Sequence, residues 1–205
     1  TLSIIPITEA NKVFLLAGAT GTDKFTGAGR LAFRTFPSAK AIYSKLAEVA
    51  YEKETRTTVT FSEQKDWPQS VVANFAQRFT ELGGKVLAQE TYEPGTQDFK
   101  PALLKIKNLN PESIMISVQG PDSAAQIIKQ MQELGIIQQI YGDGLVVTKA
   151  TYDKTNGILP SSALGGTPHV NSERLPETKA FLERYVKRFG EITLDSFIAT
   201  EGYDG

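Results

Sequence analysis

Segments rich in β-branched residues alternate with segments of helical periodicity from Thr57 onward. The helical segments repeat apolar residues three and four positions apart, and Gly83 and Gly135 follow two of them, as helix-ending glycines do. Such alternation with short connections predicts βαβ units, hence an α/β fold with a parallel sheet covered by helices on both faces. The predicted strands are residues 57–62, 85–92, 113–118, 136–141 and 157–164.

The segments before and after this run have a different organisation. Residues 2–11 are predicted to form a helix, and residues 12–17 and 30–36 are predicted to form strands. Pro176 opens a further amphipathic helix. Its predicted buried stripe is Phe181, Leu182, Tyr185, Val186 and Phe189.

Two breaks, near Pro37 and near Gly165, divide the chain into lobes. We predict that residues 37–164 form one lobe and that residues 1–36 and 165–205 belong to another. The first helix has no strand ahead of it, so the chain is expected to be the middle portion of a longer protein.

Composition and motifs exclude several classes of function. With 22 basic and 23 acidic residues the net charge is -1, and no cluster of Lys and Arg marks a nucleic-acid surface. The absence of cysteine excludes thiolate metal sites and thiol nucleophiles. His169, the single histidine, cannot form a zinc site alone. We therefore predict no metal, no cofactor and no catalytic residue.

One glycine string has the spacing of a dinucleotide-binding loop. Residues 27–32 read Gly-Ala-Gly-Arg-Leu-Ala, but the next residues are predicted to form a strand, whereas the motif requires a helix. A glycine-rich turn explains the string better.

Three predicted loops follow strands at the carboxyl end of a sheet, where open α/β folds bind their ligands. They contribute Gly18 and Thr20, then Trp67, and then Asp143 between two glycines. Together they supply donors for a carboxylate, an aromatic wall and a fixed anion for an ammonium group. Each loop also fits an ordinary turn or helix start.

The order of several segments resembles the branched-chain amino acid binding proteins, which are type I periplasmic binding proteins of the extracellular ligand-binding receptor family. The resemblance extends along the whole chain, and the stretch from Gly83 to Ile106 is its most specific part. The matching segments are LLAGATGT, LAFRTFPS, TTVTFSEQKDW, AAQIIKQMQELGI and IYGDG.

The resemblance implies two doubly wound parallel-sheet lobes joined by a hinge, with lobe 1 only partly present. It also implies a ligand site. Gly18 and Thr20 would bind the carboxylate, Trp67 would close over the ligand, and Asp143 would pair with the ammonium group. Gln119, in the loop after the third predicted strand, would approach the ligand as well.

The function implied by the resemblance is capture of a small amino acid for an ABC transporter by hinge closure. The protein would be a monomer, periplasmic or extracellular, with or without a lipid anchor, and would deliver its ligand to a permease. Three alternatives stay open: a sensor of the same fold, a binder of aromatic carboxylates or short amides, and an α/β enzyme using Asp143. Against the enzyme, no nucleophile or metal set accompanies Asp143.

Overall fold

The structure, a computed structural model, describes residues 1–167 and 176–190. Short 3₁₀ helices cover Leu2–Ile4 and Asp23–Phe25. The other elements, in chain order, are α1 (Ile5–Ala10), β1 (Leu15–Ala17), β2 (Ala32–Arg34), α2 (Ala39–Glu52), β3 (Thr57–Glu63), α3 (Asp66–Glu81), β4 (Lys85–Tyr92), α4 (Lys100–Leu109), β5 (Ser113–Ser117), α5 (Pro121–Glu133), β6 (Gln139–Asp143), α6 (Lys149–Lys154), β7 (Leu164–Gly166) and α7 (Pro176–Phe189).

The chain divides into two compact units. One comprises Thr1–Ser38 with Pro168–Gly205, and the other is Ala39–Thr167. In the second unit, five strands form one sheet in the order β4-β3-β5-β6-β7, and every neighbouring pair is parallel. The α/β class with parallel strands is therefore confirmed.

The two faces of this sheet carry separate apolar cores. Alternate side chains of a strand point to opposite faces, so Ile114 and Ile116 lie in one core while Met115 lies in the other. The first core is covered by α4 and α5, and the second by α2 and α3. A fully buried side chain such as Ile116 contributes roughly 1.5–3 kcal/mol to folding. Helices on both faces make the sheet doubly wound.

The unit with Thr1–Ser38 contains a small parallel pair, in which Leu15 is opposite Ala32. Both strands are three residues long, much shorter than the predicted strands 12–17 and 30–36. Ile5, Ala17 and Phe25 form the buried cluster beneath them.

The predicted strand 136–141 is displaced in the structure. Gly135 adopts a left-handed conformation (φ 63°), and the Ile136 N–H bonds back to the Met131 carbonyl at 2.8 Å. The turn that ends α5 therefore includes Ile136, the first residue of the predicted strand, and the next residue, Ile137, is 92% exposed. The strand therefore begins at Gln139 and ends at Asp143.

The predicted strand 157–164 is also wrong over most of its length. Residues near Pro160 turn, with the Ala163 N–H bonding to the Pro160 carbonyl at 2.9 Å. Pairing with β6 begins at Leu164, opposite Tyr141. Helix α6, which was not among the predicted elements, is capped by the Thr148 hydroxyl, 3.1 Å from the Thr151 N–H.

Helix α7 is present, but none of its residues is buried within the described part of the chain. Its predicted apolar stripe forms an aromatic ladder instead, with ring centroids 5.9 Å apart for Phe181 and Tyr185 and 4.7 Å apart for Tyr185 and Phe189. Phe189 is 61% exposed. Periodicity predicted the helix correctly and its burial incorrectly.

Among the described residues, no helix combines the length and the apolar character needed to cross a membrane. His169 lies outside those residues, and so does most of the segment 165–175.

Candidate functional site

The carboxyl edge of the five-stranded sheet brings together three of the predicted site residues. Trp67 lies just beyond β3, Gln119 lies two residues beyond β5, and Asp143 ends β6. The strands β3, β5 and β6 are consecutive neighbours in the sheet. Since parallel strands end on the same edge, these residues belong to one face of the unit Ala39–Thr167.

Trp67 lies in the first turn of α3, which begins at Asp66, and not in the predicted loop before that helix. Its indole ring is half-buried and meets the Tyr43 ring edge-on, with centroids 5.8 Å apart. The Tyr43 hydroxyl in turn donates to the Gly166 carbonyl at 3.0 Å. This ring contact packs the start of α3 against α2, and part of the Trp67 side chain stays accessible.

Asp143 is completely buried, and its carboxylate accepts four hydrogen bonds from within the unit. Its Oδ2 accepts from the Ser117 hydroxyl at 2.6 Å and from the Val118 N–H at 2.8 Å. Its Oδ1 accepts from the N–H groups of Leu145 at 2.9 Å and Val146 at 3.2 Å. In this arrangement the carboxylate ties the end of β5 to the turn after β6.

Burial raises the pKa of Asp143 from 3.8 to about 6, although the four hydrogen bonds act in the opposite direction. Burial also raises the pKa of Tyr43, and the nearby Asp143 charge adds to this effect. An ionised carboxylate is therefore costly at this position, and the hydrogen bonds offset only part of that cost.

Glu63, the last residue of β3, is a second buried carboxylate at this edge that was not among the predicted site residues. Its Oε2 accepts from the Gln119 N–H at 3.2 Å, and its Oε1 pairs with the Lys65 Nζ at 3.1 Å. The Glu63 side chain is 6% exposed. A charged residue directly after the buried strand run 57–62 was the signal that could have found it.

Tyr92, at the end of β4, contributes a buried hydroxyl without a hydrogen-bond partner among the described residues. Burial raises its pKa, and the charges of Glu63 and Asp143 raise it further. The Ser123 hydroxyl is near enough to lower this pKa somewhat but does not reach hydrogen-bonding geometry. The group remains protonated and is therefore a donor.

Gly18 and Thr20 lie in the other unit, in the loop that follows β1. Thr20 is half-buried, and its hydroxyl lies 3.3 Å from that of Thr1. Arg34 of β2 holds the far end of this loop, donating to the Thr22 carbonyl at 2.9 Å and to the Thr26 hydroxyl at 2.7 Å. The loop is thus fixed by β2.

The glycine string 27–32 occupies a turn that leads into β2, where a dinucleotide site would need a helix. Gly27 has a positive φ of 75°. Within residues 1–167 and 176–190, no group of three or more potential ligands is placed to hold a metal ion.

Comparison with known proteins gives a family match over the whole chain. The model of the family described as periplasmic binding protein matches residues 1–205. The comparison with curated proteins found no match.

Several solved structures are similar. A leucine binding protein from Thermotoga maritima is 25% identical, with a TM-score of 0.84, over 94% of this chain and 55% of that chain. A solute binding protein of an ABC transporter from Rhodopseudomonas palustris, in complex with 3,4-dihydroxybenzoic acid, is 24% identical with a TM-score of 0.77. This match covers 99% of our chain and 56% of that chain.

A further R. palustris solute binding protein, in complex with benzoate, is 17% identical with a TM-score of 0.84, over 99% of this chain and 56% of that chain. The chain thus spans about half the length of these solved relatives.

Proposed function

Because the chain belongs to the periplasmic binding protein family, we propose that it is part of the solute-binding component of an ABC transporter. The component captures a small amino acid by closure of two lobes and delivers it to a permease. The observation that supports this most directly is the position of Trp67 and Gln119 together on the carboxyl edge of one parallel sheet. Open α/β folds bind ligands at that edge.

Within this proposal, Gly18 and Thr20 receive the solute carboxylate, and Trp67 supplies the aromatic wall. A dissociation constant of ~1 μM corresponds to a binding free energy of about 8 kcal/mol. A few charge-assisted hydrogen bonds, at roughly 1.5–3 kcal/mol each, and one aromatic contact supply that amount after ordering costs. No chemical step is involved, so the protein is proposed to be a binder and not an enzyme.

One observation favours a second solute class, the aromatic carboxylates. Asp143, the predicted partner of an ammonium group, has no exposed surface and already accepts four hydrogen bonds. An amino acid would need this carboxylate to become accessible, whereas a benzoate has no ammonium group to satisfy. Two structurally similar proteins hold 3,4-dihydroxybenzoic acid and benzoate.

A thermal-shift screen of the whole protein tests the proposal. L-leucine, benzoate, 4-hydroxybenzoate and a short amide are each added in excess, and a solute at about 100 times its dissociation constant stabilises the fold by ~2.7 kcal/mol. A shift with leucine supports the amino acid class, and a shift with the benzoates alone replaces it with the aromatic class. No shift with any small carboxylate or amide contradicts solute capture.

The matched variants are Trp67→Ala and Trp67→Phe. We expect the alanine variant to weaken binding at least about tenfold and the phenylalanine variant to retain most of it, because an aromatic wall is preserved. Chromatography of the incubated solutes provides the enzyme control, and we expect every solute to be recovered unchanged.

The partner and the location follow from the same proposal. The protein acts in the periplasm or outside the cell and docks on a membrane permease. A sensor of the same fold would capture the solute in the same way but would not support uptake. Transport of the bound solute into vesicles that contain the permease therefore separates the two.

A further inference from the structure

Buried carboxylates anchor the turn between β5 and α5 from both sides. The Val118 N–H donates to Asp143 at 2.8 Å, and the next N–H, that of Gln119, donates to Glu63 at 3.2 Å. Asp143 ends β6 and Glu63 ends β3, and these are the two strands that flank β5. Two consecutive amides are thus held by opposite neighbours in the sheet.

This anchoring is costly in free energy. A buried carboxylate loses its hydration. Glu63 has a cation partner, Lys65, whereas Asp143 has none among the described residues. Carbonyl oxygens or water could satisfy two amides without burying a charge. The two carboxylates instead fix where the β5–α5 turn lies, because they hold it relative to β3 and to β6 at once.

The residue that this arrangement places is Gln119. Val118 is buried, whereas Gln119 is exposed at the carboxyl edge of the sheet. Its backbone N–H is already used by Glu63, so the donor it can offer to a solute is its side-chain amide. That amide can donate to an anionic or hydroxyl oxygen and can also accept.

We propose that Glu63 and Asp143 are positioning residues that hold the β5–α5 turn so that the Gln119 side-chain amide contacts a polar oxygen of the solute. In this role Glu63 acts through the turn and does not itself touch the solute. The inference rests on the proposed function, since it assumes that the carboxyl edge of this sheet meets a solute.

The structure offers a matched control at the opposite edge of the same sheet. Glu112 accepts from the N–H groups of Arg56 and Thr57, the latter at 2.9 Å, at the start of β3. Glu112 is thus another carboxylate that holds two consecutive amides, but it lies at the amino ends of the strands. Glu112→Ala should loosen the Thr57 amide and leave solute affinity unchanged.

The first test is amide hydrogen exchange of the whole protein without solute. In Glu63→Ala we expect the Gln119 amide to exchange about tenfold or more faster, as loss of one hydrogen bond predicts, while Thr57 is unchanged. In Glu63→Gln, whose side-chain oxygen can still accept, we expect a smaller increase. Unchanged exchange at Gln119 in Glu63→Ala would overturn the anchoring.

The second test is a double-mutant cycle on affinity, measured with L-leucine or benzoate, whichever stabilises the wild-type protein. We expect Glu63→Ala and Gln119→Ala each to weaken binding by roughly five- to tenfold, about one hydrogen bond. The combined variant should be no weaker than Gln119→Ala alone, because Glu63 acts only through Gln119.

Additive losses in the combined variant would overturn the proposal, as would wild-type affinity in Glu63→Ala. If Glu63→Ala does not fold, Glu63→Gln takes its place in the cycle. We then expect a smaller loss of affinity that is again not additive with the loss in Gln119→Ala. Failure of both probes to bind the wild-type protein would count against the proposed function, whereas the exchange result tests the anchoring independently.

Discussion

The unit Ala39–Thr167 encloses most of its large apolar side chains, whereas residues 1–38 leave several of theirs exposed. Phe61 and Phe75 have no exposed surface, while Phe14 is 72% exposed and Phe33 is 48% exposed. The rings of Phe14 and Phe33 stack on one another, with centroids 5.4 Å apart. The apolar pattern of a strand defines which face can be buried, but burial itself requires elements that cover that face.

The largest expected effect is the loss of a core ring in the enclosed unit. Phe61 contacts Tyr92 and Phe99, with centroids 5.1 and 6.0 Å away. Phe61→Ala in the 205-residue chain is therefore expected to lower the free energy of unfolding by about 3–5 kcal/mol, measured by urea denaturation. The matched change Phe14→Ala should cost less than about 1 kcal/mol, since that ring is largely exposed and its one ring contact among the described residues is with Phe33. Equal losses would show that the contrast between the two units is wrong.

A second, smaller effect depends on pH. Asp143 has a pKa of about 6 in the folded state against an ordinary value of 3.8, so the folded state binds its proton more tightly than the unfolded state does. Its contribution to stability is complete below about pH 4 and is lost as the pH rises through 6, by up to ~3 kcal/mol.

Asn cannot ionise, so Asp143→Asn removes this dependence. We expect the unfolding free energy of the wild-type protein to fall relative to that of the variant between about pH 4 and pH 6 and to level off above that. Carboxyl groups with lowered pKa values, such as those of Glu48 and Glu112, are present in both proteins. Their contributions therefore cancel in the difference between the two unfolding free energies. A difference that stays constant with pH would show that Asp143 ionises as it does in water.

The smallest effect tests the displaced start of β6. Ile137 is 92% exposed and precedes the strand, whereas Ile140 is 3% exposed within it. Ile137→Ser should change the unfolding free energy by less than about 0.5 kcal/mol. Ile140→Ser should cost more than about 2 kcal/mol, because it also buries a hydroxyl group. A reversed order would restore the strand predicted for residues 136–141.

Sequence periodicity predicted most of the enclosed unit because its contacts are made within the unit. Strand β4 matches its prediction at both ends, and Gly83 and Gly135 end their helices with positive φ as expected. The errors arise where a turn used residues of high strand propensity, as at Ile136. They also arise where the local pattern cannot show whether another element covers an apolar helix face, as on α7, where Phe189 is exposed.

The candidate site was predictable only in its position. Parallel topology indicated the carboxyl edge, and Trp67, Gln119 and Asp143 all lie there. Sequence could not show that Asp143 would be buried under four donors, because two of those donors come from the carboxyl end of β5 and two from the turn after β6. The contribution of Gly18 and Thr20 to the same site stays a prediction, as does the division of the protein into lobes.

Trp67 is the single tryptophan of the chain, and it lies half-buried at the first turn of α3 beside Tyr43. Tryptophan fluorescence excited selectively at the indole ring therefore reports on this one position in the chain. A change of polarity at that helix start alters the colour and intensity of the emission. The protein thus carries its own optical reporter, and titrations can be followed without attaching a dye.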